Sequence, residues 1–226
     1  MPSRRDIFIN GGIYHIFNKT IDHKKIFIER KIGFLFLDLF RYYRSSKADI
    51  RYSHFKRLPD NLRKEKEKQI KFEKYFKVDI LGYNLMPNHF HLLLEQKLDK
   101  GIIRFMSDNL NSLTRFFNIL NDRKGPIFLP QFRSRHIQNK EQLKHTLRYM
   151  DLNQYSAQLV KKLEDLEKYE FSSFREYLHP SKNNICNTEE VLRLFGGSSE
   201  KYKKFVFDNA EYQKTLELIK YLSKWL

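Results

Sequence analysis

The stretch VDILGYNLMPNHFHLLLE, residues 78–95, is the segment around which the rest of the chain has to be folded. Val78 to Leu85 and His89 to Glu95 carry the β-branched, aromatic and large aliphatic types that suit a pleated surface, and Met86-Pro87-Asn88 supplies turn chemistry between them. The pattern predicts a hairpin. Residues two apart on a strand share a face, so His89 and His91 are expected to project together while Phe90, Leu92 and Leu94 point to the other side.

Outward from the hairpin, the periodicity alternates between strand and helix. Ile13 to Phe17, preceded by Gly11-Gly12, has strand composition, and from Glu29 to Arg44 the residues Ile32, Phe36, Leu39, Phe40 and Tyr43 recur at helical steps. Between residues 45 and 77 the composition turns to charge, with Arg63-Lys64-Glu65-Lys66-Glu67-Lys68 at its centre and Pro59 as punctuation, which predicts a solvated insertion. After the hairpin, Ile102, Ile103, Met106, Leu110, Leu113, Phe117 and Leu120 keep helical spacing until Gly125-Pro126. Phe128 to Gln138 contains a fourth strand, and Asn139 with Gln142 forms a capping box that opens a helix to about Leu159. The order β-α-β-β-α-β-α is that of an α+β, ferredoxin-like antiparallel sheet with helices packed on it, plus one extra helix. This places a main domain over residues 1–178. A mainly helical C-terminal appendage is expected over 179–226, ending in Lys224-Trp225-Leu226.

Composition narrows the partner. Forty-three Lys and Arg against 27 Asp and Glu leave a net charge of +16 in 226 residues, which favours a polyanion, with nucleic acid ahead of an anionic membrane surface. Aromatic residues make up 15% of the chain and suit stacking on bases. The longest apolar runs, such as Phe34 to Leu37, fall far short of the roughly 20 residues that span a bilayer. The opening Met1-Pro2-Ser3-Arg4-Arg5-Asp6 has no apolar stretch with a cleavage site after it, so cytoplasmic residence is expected. Cys186 is the sole cysteine, which excludes an intramolecular disulfide and a multi-cysteine zinc site, so a metal would need His, carboxylate or amide ligands.

Two segments carry candidate chemistry. His89 and His91 have the spacing of a bidentate imidazole metal site, although the same pattern also suits ordinary strand histidines. On the late helix, Leu143, Leu147 and Met150 form an apolar stripe, whereas His145, Tyr149 and Asn153 follow one another at four-residue steps along another face. A tyrosine and an amide ligand would share that face, with core packing of the ring as the alternative. Arg133, Arg135, Lys140, Lys144 and Arg148 surround this region in sequence and suit phosphate oxygens. Tyr155 lies six residues beyond Tyr149, about 600° around the helix, so the two rings are not expected on one face.

The run Gly82-Tyr83-Asn84-Leu85-Met86-Pro87-Asn88-His89-Phe90-His91-Leu92-Leu93 resembles the signature of the single-tyrosine HUH transposases, IS200-like enzymes, and among them the REP-associated tyrosine transposases. Further similarity lies in Tyr14-His15-Ile16-Phe17-Asn18, Gly125-Pro126-Ile127-Phe128, Phe132-Arg133-Ser134, Arg148-Tyr149-Met150-Asp151-Leu152-Asn153 and Phe171-Ser172-Ser173-Phe174, together spanning about residues 10–180. The resemblance implies Mg²⁺ or Mn²⁺ on His89 and His91, Tyr149 as nucleophile and Asn153 as a candidate third ligand. It also implies cleavage and rejoining of single-stranded DNA through a 5′-phosphotyrosine link, at hairpins with a short guide sequence, by a monomer or homodimer. The family's helix motif usually ends in Asn-Pro; here Gln154 follows Asn153, so the helix is expected to run on, and the charged insertion is longer than the family pattern. A non-catalytic nucleic-acid-binding protein on the same fold, and a metal-dependent nuclease in which water attacks, are the alternative functions.

Overall fold

The computed structural model describes residues 7–222, with side chains through Leu216; Met1 to Asp6 and the terminal Lys224-Trp225-Leu226 lie outside the described residues. The chain forms β1 (Ile13–Lys19), α1 (Arg30–Tyr43), α2 (Tyr52–Phe55), α3 (Asp60–Lys71), β2 (Val78–Met86), β3 (His89–Gln96), α4 (Gly101–Leu120), β4 (Arg133–Ile137) and α5 (Lys140–Ser156). Short helices α6 (Phe174–Leu178), α7 (Thr188–Arg193), α8 (Ser199–Phe207) and α9 (Ala210–Leu222) follow. The strands make one sheet in the order β2-β3-β1-β4, every neighbouring pair antiparallel, which is the ferredoxin-like arrangement.

Alternation along the strands decides what each face of the sheet covers. Tyr14 and Ile16 of β1 and Phe90, Leu92 and Leu94 of β3 are buried on one face, where Phe36 of α1 meets Phe90 at 5.3 Å and Phe40 stacks toward Phe105 of α4. The opposite face carries His89 and His91 and is covered by α5 over β2. Its close approach depends on Gly82: a Cβ there would lie 3.2 Å from the Tyr177 hydroxyl and 3.3 Å from Leu147. A Gly82→Val side chain must therefore push α5 outward. The expected cost is roughly 1–3 kcal/mol of unfolding free energy in a urea titration, and an unchanged midpoint would refute this packing account. With both faces covered, the central residues of β2 are all buried, consistent with its nearly continuous apolar sequence.

The hairpin turn is tighter than the three-residue turn expected. Met86 pairs with His89, leaving Pro87-Asn88 as a two-residue connection whose carbonyls accept from Phe27 and Thr20. The fourth strand is shorter than Phe128 to Gln138: Phe128 makes an isolated bridge to Thr20, Pro130 offers no N–H to a ladder, and regular pairing starts at Arg133. Asn139 Oδ1 accepts from the Gln142 amide at 2.9 Å as the capping box requires, while Gln142 Oε1 reaches back one residue further, to the amide of Gln138. The helix runs past Asn153, and ends at Ser156, before Leu159, because Gln158 turns into the left-handed region at φ 59° and the Leu159 and Val160 amides fold back onto the Gln154 carbonyl. The charged insertion contains α2 and α3 and is tied down by Phe55 and Ile70, both buried.

Residues after 178 do not stand apart from the sheet domain. Residues 171–173 run along the outer edge of β2, with Leu85 donating to the Phe171 carbonyl and Ser173 to that of Tyr83, so this edge is not open. Ile185, Val191, Leu192, Tyr202, Val206 and Ala210 then join the same continuous core as the sheet. Tyr202 donates to Asp151 Oδ2 on α5, a bond that ties the C-terminal helices to the helix carrying Tyr149. Among the described residues, no helix is long and apolar enough to cross a membrane.

Candidate active site

Strand register assembles the face beneath α5. On β3, His91 lies opposite Phe17 of β1 and Asn84 of β2, and His89 lies opposite Lys19 and Met86. On β4, Arg133 pairs with Phe17 and Arg135 with His15, so both arginines alternate onto this same face of the sheet, and both are exposed. The two histidines thus share a face, as their spacing requires.

A third histidine belongs to the cluster. His15 Nε2 lies 2.9 Å from His91 Nδ1, with the rings stacked at 5.1 Å, and Phe17 stacks on His91 at 5.9 Å. His89 sits edge-on to His91 at 5.2 Å and donates or accepts at Nδ1 against Asn88 Oδ1 at 2.8 Å; the amide oxygen can only accept, so this nitrogen is the N–H donor. Burial pushes His15 down to about 4, helped by the nearby Arg135 charge, and pushes His89 down to about 4, helped by Lys19 and His23. Burial holds His91 well below the ordinary imidazole range, reinforced by His15, His89 and Lys19. All three rings are therefore neutral at pH 7, which is the form that ligates metals.

These shifts make stability pH-dependent. An imidazole near 4 in the fold and near 6.5 when unfolded takes up protons preferentially in the unfolded chain, so its contribution is complete above pH 6.5 and is lost as pH falls toward 4. Asp151 acts in the opposite sense: burial raises it to about 7 against the opposing hydrogen bonds of Tyr202 and Ser172, so its contribution is lost as pH rises through 7. Comparing wild type with His89→Asn cancels Asp151. The variant is expected to lose less stability between pH 7 and 4.5, by roughly 1–2 kcal/mol after allowance for solvent screening. Equal pH slopes in urea titrations of the two proteins would contradict the neutral-imidazole account.

Tyr149 of α5 enters this cluster from above. Its ring is half-buried, edge-on to His91 at 5.9 Å and to His15 at 6.5 Å. Asn84, beside His91 on β2, pins the helix from below by donating to the Met150 carbonyl and to Gln154 Oε1 at 2.8 Å. On its other side Tyr149 lines a cleft of about 160 Å³ between α5 and α9, closed in part by Gln213, which donates to the Tyr149 carbonyl at 3.0 Å. A larger cavity, about 540 Å³, lies between Arg44, Asp79 and Asn187, and none of its lining residues belongs to the histidine–tyrosine cluster. Asn153 is buried one turn beyond Tyr149 with its Nδ2 unpartnered, and no hydrogen bond joins it to either histidine. Tyr155 points elsewhere, hydrogen-bonded to Glu211 of α9.

The five sequence-predicted phosphate-binding cations divide. Arg133 and Arg135 flank the cluster on β4, and Lys140 is exposed at the first turn of α5. Lys144 is instead paired with Glu141 at 2.9 Å. Arg148 is held by the C-terminal helices: its guanidinium lies 4.3 Å from the centre of the Phe205 ring, donates to the Phe205 carbonyl, and meets the Asn209 amide oxygen when that amide is turned toward it.

The donor set fits a divalent ion at His89 and His91. Nδ1 of each already meets a neighbour, so an ion would be held through Nε2, and the pairing of imidazole with open positions suits Mn²⁺ or a similar ion that also binds phosphate oxygen. Among the described residues, no three His, Cys, Asp or Glu side chains converge as a metal-binding group, so remaining ligands would come from an amide, water or substrate. His15 and Asn84 lie within the motifs that carry the family resemblance, but the sequence alone assigns neither a role in the site. The signal for His15 was present, since it alternates with Phe17 on a strand that the expected topology places beside β3.

Fold and site together define an α+β protein whose antiparallel sheet presents a buried histidine cluster to a tyrosine on a packed helix. A solved structure described as a REP-associated tyrosine transposase bound to a REP hairpin is similar, at 15% identity and a TM-score of 0.49, over 82% of this chain and 90% of that one. No protein-family model and no curated protein sequence matches the chain.

Proposed function

We propose that this protein is a metal-dependent single-stranded DNA endonuclease and strand transferase of the single-tyrosine HUH type, with Tyr149 as nucleophile and His89 and His91 holding Mg²⁺ or Mn²⁺. The observation that carries the reading is the meeting of the Tyr149 ring with His91 on the face where both motif histidines project. Asn153 remains the candidate third ligand. The resemblance of residues 82–93 to the family signature supports the same assignment and implies hairpin substrates.

The bound ion would act as a Lewis acid on the scissile phosphate. Arg133 and Arg135, exposed on the same face of the sheet, would hold flanking phosphates, and the packed α5 would keep Tyr149 from sliding. Attack of the Tyr149 oxygen on phosphorus forms a Tyr–O–P bond and breaks the P–O3′ bond; the phenol loses its proton and the departing 3′-oxygen gains one. A second 3′-hydroxyl reverses these bond changes and joins a different strand with no external energy source, because the phosphodiester is conserved in the protein link.

The test is incubation with a labelled library of single-stranded and hairpin oligonucleotides plus Mn²⁺, followed by denaturing electrophoresis. A protein-linked product supports the proposal. Cleavage without a linked product would make water the nucleophile, and binding without cleavage would leave a nucleic-acid-binding protein on this fold.

A further inference from the structure

We infer that His15 is a positioning residue: it accepts the Nδ1–H of His91 at its own Nε2 and so keeps His91 in the tautomer whose Nε2 is free to ligate. Its consequence for metal binding rests on the reading of His89 and His91 given above, whereas the tautomer itself does not.

The arrangement has a mechanical logic. His91 lies on β3 opposite Phe17, and His15 is the diagonal neighbour on the same face, close enough for a 2.9 Å contact between ring nitrogens. One of those two nitrogens has to donate and the other accept. The stack with His15 on one flank and Phe17 nearby restrains rotation of the His91 ring, so the direction of its remaining nitrogen is set as well. His89 obtains the same service locally, from the side chain of the residue before it, Asn88. On β3, residue 90 is Phe and residue 92 is Leu, so His91 has no polar neighbour in sequence and depends on a residue 76 positions away. A ligating Nε2 carries no proton, so His91 in that role requires an acceptor that holds its single proton at Nδ1.

The test reads tautomers directly, by ¹⁵N chemical shifts of the imidazole rings in the full chain without added metal, together with Mn²⁺ affinity from calorimetry. In the wild type His91 is expected as the Nδ1–H form. His15→Phe keeps a ring against Phe17 but removes the acceptor, and is expected to move His91 to the Nε2–H form and weaken Mn²⁺ binding by roughly 10–100-fold. His15→Gln retains an acceptor oxygen and is expected to recover a substantial part of both. His89 is the internal control, since its Asn88 partner is untouched. The inference is overturned if wild-type His91 carries its proton on Nε2, or if its tautomer is the same in His15→Phe; the wild-type spectrum decides even should the Phe variant fail to fold. If the wild type binds no Mn²⁺ at all, the metal reading of the site fails, and the ¹⁵N spectra still decide the His15–His91 contact.

Discussion

Tyr149→Phe is expected to abolish covalent capture of DNA and strand joining while leaving DNA binding intact. The substitution removes one oxygen and keeps the ring that meets His91 and His15, so the packing of α5 on the sheet should survive. Loss of a hydroxyl's hydrogen bond costs roughly 1 kcal/mol, well within what a domain of this size tolerates. Loss of the proposed nucleophile is another order of effect: activity should fall by at least about 10⁴-fold, since removing a covalent nucleophile elsewhere costs that much or more. Denaturing gels score the adduct, and filter binding of the same oligonucleotide scores affinity. Tyr155→Phe is the matched control, because that hydroxyl is bonded to Glu211 of α9 rather than facing the histidines. A Tyr149 variant that still forms the adduct would place the nucleophile elsewhere; one that still cuts without an adduct would make the enzyme a hydrolase.

His91→Ala should be comparably damaging to activity and more damaging to the fold. His91 is only 7% exposed and contacts His15, Phe17, His89 and Tyr149, so truncation leaves a cavity between sheet and helix and is expected to cost roughly 1–3 kcal/mol. It also removes one of the two histidines proposed as metal ligands. Wild type at 100 times the Mn²⁺ dissociation constant should gain about 2.7 kcal/mol, seen as a raised melting temperature, and the variant should gain nothing. Cleavage should fall to background at temperatures where the variant remains folded. If the wild type shows no Mn²⁺-dependent stabilisation and the variant cuts normally, the histidines are structural.

Much of this protein was determined locally. The two-residue period of β3 alone required His89 and His91 to share a face, the apolar steps of α1 and α4 marked the helices that cover the other face, and Asn139 with Gln142 started α5 where the structure starts it. These are properties of neighbouring residues, so no knowledge of the remaining chain was needed. Tertiary structure decided what depends on pairing between distant segments. His15 reaches His91 only through the β1–β3 register, which is a consequence of packing the whole sheet. Arg148 is charged and helical, as suits a phosphate contact, yet the corner between α8 and α9 engages it, because Phe205 and Asn209 lie against that side of α5. The segment after residue 178 looked separable in composition, but α5 alone does not cover its side of the sheet. Burying Asp151 against Tyr202 and filling the core with Ile185, Val191 and Leu192 makes those later helices part of the support that holds Tyr149 over the histidines.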